Sequence, residues 1–318
     1  MAFVSKKRIN GKERYYLEKS VRFPSGKVKK FSLYLKGYPP NKTDMVLFKQ
    51  QLGKKIEEAL VQEAIQQFKT SLIFTKEEIA KVEKMKLGYQ KIVRQLTDKQ
   101  NDDVLDRFAV NFTYESNALE GNSLTLKDVT FIIQEGKVLP GKDLREVFET
   151  LNTRKALAWV QKRLPKINKE SVIKLHDLLV YDTGVATGYK RLPNFLLGRT
   201  VQTTPPEHVE AEMEKLFKEY QHNQRLHPLQ RAALFHGHFE QIHPFEDGNG
   251  RVGRLLINII LQQHGYPPLI IRKTQRVKYF HALEAFDHGH PDKLYRFLLE
   301  KYKDTYSKFF EVYVKYLF

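Results

Sequence analysis

A glycine turn between two apolar segments constrains this chain more than any other feature of its sequence. In the stretch HFEQIHPFEDGNGRVGRLLINIIL (residues 238–261), apolar residues at helical spacing lie on both sides of Gly248-Asn249-Gly250. This spacing predicts one helix that ends near Ile242 and a second helix that begins near Gly250. The turn then leads into a helix N-terminus, where free N–H groups and the helix dipole favour a bound anion.

The residue types at the turn are those of a phosphate site. Glycine at positions 248 and 250 lets the backbone approach a ligand without a side chain in the way, so that its N–H groups can hold phosphate oxygens. Arg251 and Arg254 are three residues apart and so share one face of the first helical turn, where both can bind further phosphate oxygens. The simpler alternative is a tight turn between packed helices whose charges are solvated.

Two more side chains near the turn suit transfer chemistry on a triphosphate. Asp247 can supply one carboxylate oxygen to a magnesium ion that takes its other ligands from phosphates and water. His243 titrates near neutral pH and can accept a proton from an attacking hydroxyl group. Phe245, between them, is predicted to be buried and to fix the loop.

The segment HPFEDGNGRVGR (residues 243–254) matches the Fic-family signature H-P-F-x-[D/E]-G-N-G-R-x-x-R at every fixed position. The chain resembles that family over roughly residues 105–300, with further similar segments at 175–180, 203–213 and 265–283. The resemblance implies a helical bundle that transfers AMP from ATP to a Ser, Thr or Tyr hydroxyl of a protein, which could be the chain itself. ATP and Mg²⁺ are the implied substrate and cofactor.

The resemblance also implies a role for individual residues. His243 would be the general base and Asp247 the magnesium ligand. The residues expected to bind the nucleotide are Gly248, Asn249, Gly250, Arg251, Arg254, Asn258 and Tyr279. A hairpin at 191–202 would be the flap that aligns the target segment by strand addition, through Asn194, Phe195, Leu196 and Leu197. Gly250 favours nucleotide transfer, because the phosphate-transferring subgroup has a bulkier residue there.

A second motif, S-x-x-x-E-G from Ser116 to Gly121, lies at the predicted end of a helix. Gly121 suits a left-handed cap, and the helix dipole disfavours the Glu120 carboxylate at that end, so a cationic partner is expected. An exposed glutamate at a helix end is the plain alternative. In the Fic family this pattern marks an inhibitory helix, here about residues 103–121, and implies that Glu120 binds Arg254 and withholds it from the γ-phosphate. In some relatives the same glutamate helps to remove AMP, so de-AMPylation remains an alternative.

The first forty residues are predicted to form a basic three-stranded antiparallel meander. Asn10-Gly11 is a hairpin turn, Pro24-Ser25-Gly26 is a second turn, and apolar and basic residues alternate after it. Eleven lysines and arginines against two glutamates give residues 1–40 a net charge of +9, out of +17 for the chain. Such a block favours the binding of a polyanion, so a DNA-binding regulator is a further alternative. The simpler alternative is a basic face that is only solvated.

The chain is therefore predicted to be mainly α, with a Fic-type helical bundle and a β-hairpin flap that follow a small β-meander and helices. The predicted domains are the meander at 1–40, a helical region at 41–102 and a Fic domain at 103–318, whose core motif is 243–254. The polar run TDKQNDD (97–103) is placed at the main boundary. No apolar run approaches the ~18 residues of a spanning helix, and the N-terminus lacks a secretory core. The absence of cysteine fits a reducing compartment, so the expected location is the cytoplasm. No membrane contact is expected, and the sequence does not decide whether the chain forms a homo-oligomer.

Overall fold

The computed structural model describes residues 2–35, 41–138, 140–194 and 202–317, and the side chains of 315–317 are not described. It is mainly helical with a small antiparallel sheet near the N-terminus, which confirms the predicted fold class. The chain divides into two compact units. The first unit contains Met1–Phe68 and Ile79–Leu87, and the second contains Lys69–Glu78 and Gly88–Phe318.

In the first unit, strands β1 (Phe3–Ile9), β2 (Lys12–Arg22) and β3 (Val28–Tyr34) form an antiparallel sheet in the order β1-β2-β3. This confirms the predicted meander. The Asn10-Gly11 turn has both φ angles positive, at 50° and 74°, which matches the twist of the two strands that it joins.

One face of this sheet packs on helix α1 (Lys42–Gln67), which Asn41 caps through its side chain. Side chains from the sheet and from α1 form a single apolar core, made of Leu17, Phe23, Phe31, Leu35, Leu52 and Ile56. In the register of the sheet, Leu17 lies between Val4 of β1 and Leu33 of β3. The alternation read from the sequence therefore separates a packed face from an outer face.

The second unit is helical throughout its described part. Helix α2 (Lys76–Gln95) contributes its ends to this unit and its middle to the first unit. The helices that follow are α3 (Asp98–Leu119), α4 (Leu126–Thr130), α5 (Leu144–Arg163), α6 (Lys169–Val180), α7 (Pro206–His222), α8 (Pro228–Ile242), α9 (Asn249–Gln263), α10 (Arg276–Asp287), α11 (Pro291–Thr305) and α12 (Glu311–Leu317). Short π-helical segments at Phe131–Glu135 and Tyr306–Phe310 continue α4 and α11, and a 3₁₀ turn, Lys273–Gln275, precedes α10.

Helix α3 begins earlier than the sequence reading placed it. The prediction started this helix near residue 103 and treated TDKQNDD as a polar separator. In the structure, Thr97 and Gln100 form a capping box: the Thr97 side chain accepts from Gln100 N, and the Gln100 side chain accepts from Thr97 N. Thr-x-x-Gln is itself a helix-start signal, so the polar composition of the segment was misleading there.

Helix α9 is buried on nearly every side, with its apolar residues from Val252 to Leu261 fully enclosed. It packs against α8, and α5, α6 and α3 also contact it. Because α9 is central, the arginines of its first turn are carried into the interior of the unit. Among the described residues, every helix is too short or too polar to cross a lipid bilayer.

Candidate active site

The loop between α8 and α9 has the backbone that the sequence predicts. Helix α8 ends at Ile242, and His243 caps it in the left-handed region at φ 50°. Gly248, at φ 81°, is the N-cap of α9, which begins at Asn249. Both helix boundaries are therefore confirmed to within a residue. The N–H groups at the start of α9 open toward this loop, as an anion site requires.

Asn249 braces the loop with its side chain. Its Oδ1 accepts from the Phe245 N–H at 2.9 Å, and its Nδ2 donates to the Phe245 carbonyl at 2.8 Å. Phe245 is fully buried and its ring stacks on His176, with 3.8 Å between ring centroids. The predicted burial of Phe245 is confirmed, and Asn249 holds the loop in shape rather than projecting from it.

His176, on α6, supports the loop from below, and the sequence reading gave it no role. Its Nε2 lies 3.1 Å from the carbonyl oxygen of Asp247. Burial, together with the nearby Arg251 charge, lowers the pKa of His176 to about 4. The imidazole is therefore neutral at physiological pH. Its Nε2–H group donates a hydrogen bond to the Asp247 backbone carbonyl, since a carbonyl oxygen can only accept.

The Asp247 carboxylate is shared by two arginines. Arg145, in the first turn of α5, places Nη2 2.8 Å from Asp247 Oδ2. Arg251 places Nη2 3.5 Å from Oδ1, and its Nη1 lies 3.6 Å from Glu149 on α5. The sequence reading missed Arg145 and Glu149, which lie about a hundred residues from the motif and follow no recognisable spacing.

The surroundings of Asp247 fit a magnesium ion that takes only one protein ligand. The Asp247 side chain is 40% exposed, so a metal and its water can reach the carboxylate. Within the described ranges, no three His, Cys, Asp or Glu side chains cluster closely enough to hold a metal by themselves. An ion bound through a single carboxylate takes its other ligands from phosphates and water, as magnesium does in nucleotide sites.

His243 lies at the opposite end of the loop from Gly248. Its side chain is largely buried, and its Nδ1 lies 3.9 Å from an oxygen of Glu240, three residues earlier on α8. Glu240 is itself buried and also lies 3.9 Å from His236. Glu240 therefore lies near the side chains of both histidines.

Arg254 is held by the end of helix α3. Its Nη2 lies 2.7 Å from Glu120 Oε1, its Nε donates to the Ser116 hydroxyl at 2.9 Å, and Nη2 also donates to the Ser116 carbonyl at 2.8 Å. The Arg254 side chain is 3% exposed and the Glu120 side chain 36%. Gly121, at φ 103°, ends the helix as the sequence predicts.

Gly250 makes room for this ion pair. A Cβ built on Gly250 would overlap Glu120 Oε1 and would come within 2.8 Å of Arg254 Nη1. The absence of a side chain at position 250 therefore serves the contact between α3 and α9, as well as leaving the backbone open to a ligand. The sequence alone predicts only the second use.

Three further contacts fix the end of α3 to the rest of the unit. Arg276 Nε donates to the Leu119 carbonyl at 3.0 Å. Glu115, which is buried, accepts from the Lys273 N–H at 2.7 Å and lies 3.4 Å from Arg272. Because these contacts do not involve Glu120, removal of its carboxylate leaves most of the attachment of α3 in place.

Asn258 and Tyr279 lie deep in the structure. Asn258 is fully buried, and its amide both donates to and accepts from the backbone of Leu269. Tyr279 is 1% exposed, and its hydroxyl lies 2.7 Å from His236 Nε2. Burial, and the charge of Glu240, raise the pKa of Tyr279 well above its usual range. These contacts give both residues a structural role, and their contact with a nucleotide stays a prediction.

The predicted flap residues Phe195, Leu196 and Leu197 lie outside the described residues, but both flanks of that segment are described. Lys190 is buried, and its Nζ donates to Asn194 Oδ1 at 2.7 Å and to Thr203 Oγ1 at 2.9 Å. Asn194 Nδ2 donates to the Phe245 carbonyl at 2.9 Å. Lys190 therefore ties both flanks of residues 195–201 together beside the α8–α9 loop.

Comparison with known proteins defines the class. Residues 166–261, which run from just before α6 almost to the end of α9, match the family model described as Fic/DOC family. This part of the chain is therefore similar to a Fic domain, and the resemblance predicted from the motif is confirmed.

Among curated proteins, the chain is 35% identical over 194 residues to the Protein adenylyltransferase Fic of Nematostella vectensis, a match that covers 58% of this chain and 45% of that protein. The chain thus matches less than half the length of this relative. A solved Fic domain containing signaling protein from Bacteroides thetaiotaomicron is similar with a TM-score of 0.67 and 25% identity, over 74% of this chain and 95% of that one. Fic-1 of C. elegans has the same fold, with a TM-score of 0.64 at 20% identity, over 88% of this chain and 79% of the solved chain.

Proposed function

We propose that this protein is a protein adenylyltransferase that moves AMP from ATP to a Ser, Thr or Tyr hydroxyl of a protein. The observation that carries the proposal is the α8–α9 loop. It places His243, Asp247 and the open N-terminus of α9 around one braced turn, with Arg251 and Arg254 beside it. The name of the relative from Nematostella vectensis supports the same reaction.

In the proposed reaction, His243 accepts the proton of the target hydroxyl as the hydroxyl oxygen attacks the α-phosphorus of ATP. A bond forms between that oxygen and the α-phosphorus, and the bond from the α-phosphorus to the bridging oxygen breaks, so pyrophosphate leaves. The α9 N–H groups and Arg251 bind phosphate oxygens, and Arg254 fixes the γ-phosphate end. Magnesium bound through Asp247 would neutralise charge on the phosphates.

The Glu120–Arg254 ion pair supports an inhibitory role for the end of α3. While Glu120 holds Arg254, that guanidinium is not available to a γ-phosphate, and the triphosphate loses one of the groups that align it. Ser116 keeps Arg254 in place through its hydroxyl and its carbonyl. Once Glu120 is lost, Ser116 still positions Arg254, and the side of the guanidinium that bound Glu120 becomes available to the γ-phosphate.

A second candidate activity is removal of AMP from a modified protein at the same site. The exposure of the Glu120 side chain, 36%, favours it, because water can approach this side chain. In that direction His243 would supply a proton to the leaving hydroxyl. Two expectations from the sequence stay predictions: that the chain can be its own target, and that it is located in the cytoplasm.

The test is incubation with labelled ATP and magnesium, followed by mass spectrometry of all labelled proteins, the chain itself included. Glu120→Gly should transfer more AMP than the wild type, and the further change Arg254→Ala should return transfer toward the wild-type level. Glu135→Gly is the matched control, because Glu135 also ends a helix but pairs with the exposed Lys137 rather than with an arginine of the site. The proposal fails if Glu120→Gly binds ATP yet labels no protein. Incubation with an AMP-modified protein then tests whether the wild type removes AMP instead.

A further inference from the structure

The outer face of the N-terminal sheet, opposite the face that packs on α1, is cationic and aromatic. Because side chains alternate along a strand, the β2 residues with even numbers share this face, and the register adds their partners from β1 and β3. We define the outer face by the residues Phe3, Lys7, Arg14, Tyr16, Arg22, Lys30 and Tyr34. Several of these side chains are well exposed, including Phe3 at 52% and Tyr34 at 45%.

The aromatic rings of the outer face lie among its cations. Tyr16 and Tyr34 are cross-strand partners with their ring centroids 5.3 Å apart. Lys7 Nζ lies 4.8 Å from the Tyr16 ring, and the Arg14 guanidinium lies 5.8 Å from the Tyr34 ring. These contacts hold the long basic side chains over the sheet. Because the side chains are already ordered, binding a ligand costs less conformational entropy.

One carboxylate, Glu18, lies on this face among the described strand residues, and its charge is already neutralised. Lys30 Nζ lies 2.7 Å from Glu18 Oε2 and Lys7 Nζ lies 2.9 Å from Oε1, while the Glu18 side chain is only 2% exposed. Hydrogen bonds from Lys30 and Lys7 lower the pKa of Glu18 to about 2, so it stays ionised and keeps both lysines in place. The face that solvent meets is therefore positive.

We propose that the outer face of β1–β3 binds duplex DNA in the major groove, with Arg14, Arg22 and Lys30 on phosphates and base edges. Adjacent strands lie about 4.8 Å apart, so three strands span roughly 10 Å between the outer two, which fits a major groove about 12 Å wide. The major groove of duplex RNA is too narrow for such a sheet. This function is separate from the Fic site and does not depend on nucleotide transfer.

The test measures binding of the full chain to a 20-base-pair DNA duplex by fluorescence anisotropy over a series of salt concentrations. We expect the double variant Arg14→Gln/Arg22→Gln to weaken binding about tenfold and to reduce the slope of log K against log salt by about two, because each phosphate contact contributes nearly one. These arginines are chosen because Glu18 pairs with Lys7 and Lys30, so the substitutions leave both ion pairs of Glu18 in place. Arg22→Gln alone, at an exposed position, repeats the test if the double variant is unstable.

The matched control is Lys49→Gln/Lys54→Gln, which removes the same charge from the exposed face of α1 in the same unit. The control should change binding much less, and the outer-face variant should keep the AMP transfer activity of its parent. Equal loss in the two variants would mean that net charge alone attracts DNA, and would overturn the proposal. Equal binding of a duplex RNA of the same sequence, or no binding of DNA at physiological salt, would overturn it as well.

Discussion

Arg145 and Asp247 form an ion pair, with 2.8 Å between Nη2 and Oδ2, at the carboxylate that we propose as the magnesium ligand. Arg145 belongs to the first turn of α5, whereas Asp247 belongs to the α8–α9 loop. Its guanidinium therefore competes with any cation for the same oxygen. Since its side chain is 57% exposed, the pair is weak enough for a metal ion to displace it.

Arg145→Ala should lower the magnesium concentration needed for half-maximal ATP binding. An exposed pair contributes about 0–1 kcal/mol, so the expected shift is up to about fivefold. Isothermal titration of ATP at several magnesium concentrations measures it without any transfer reaction. Asp247→Ala should abolish the magnesium dependence altogether.

Arg154→Ala is the control for this experiment, because Arg154 also lies on α5 and pairs with a carboxylate, Asp106, at 2.7 Å. It should leave the magnesium midpoint unchanged. A midpoint that rises in Arg145→Ala would show instead that Arg145 helps to bind the nucleotide, and the competition would be disproved.

Gly250→Ala should destabilise the wild type more than it destabilises Glu120→Gly. The added Cβ would overlap the Glu120 carboxylate, so that side chain has to move from its position beside Arg254. We expect a loss of roughly 1–3 kcal/mol in the free energy of unfolding of the wild type, and a clearly smaller loss where Glu120 is absent. Urea unfolding of the four proteins forms a double-mutant cycle. Strictly additive effects would mean that Gly250 has no steric link to Glu120.

His243→Ala should abolish AMP transfer while ATP still binds. Loss of a general base typically costs about 10²–10⁴-fold in rate, because the target hydroxyl keeps its proton during attack. The most informative background is Glu120→Gly, in which transfer is expected to be high enough to measure the loss. Titration calorimetry with ATP and magnesium checks the binding. Full transfer in the double variant would rule out His243 as the base.

The sequence predicted the parts of this protein whose signals are local. The Asn10-Gly11 turn, the ends of α8 and α9, and the buried Phe245 all depend on neighbouring residues, and all of them were predicted. The same local reasoning failed at Thr97, where a polar composition concealed a capping box.

Contacts between distant segments could not be predicted from the sequence. Arg145 reaches Asp247 across 102 residues, and nothing in its spacing to the motif marks it. His176 is similar, because its contact with Asp247 depends on how α6 packs under the loop. The motif resemblance gave the Glu120–Arg254 pairing but not the steric demand at Gly250, which depends on the positions of atoms in two helices.

The buried His176 should make the protein lose stability as the pH falls from about 6.5 to about 4. Its pKa is about 4 in the folded protein, against an ordinary value of 6.5, so in this range the unfolded chain binds a proton that the folded protein does not. Above pH 6.5 both states hold the neutral imidazole and the effect is absent; below pH 4 it is complete. The difference corresponds to a loss on the order of 3 kcal/mol in the free energy of unfolding.

His176→Gln isolates this contribution, because its amide can still donate to the Asp247 carbonyl but does not titrate. Urea unfolding of the wild type and of His176→Gln between pH 7 and pH 4 gives the difference between their free energies of unfolding. Groups other than His176 titrate alike in both proteins, so their contributions cancel in this difference. That difference should move in favour of the variant as the pH falls. His176→Phe, which keeps a ring against Phe245, should show the same pH response from a lower starting stability. If the difference stays constant over this range, then His176 is protonated in the folded protein, and its Nε2 contact does not depend on a neutral ring.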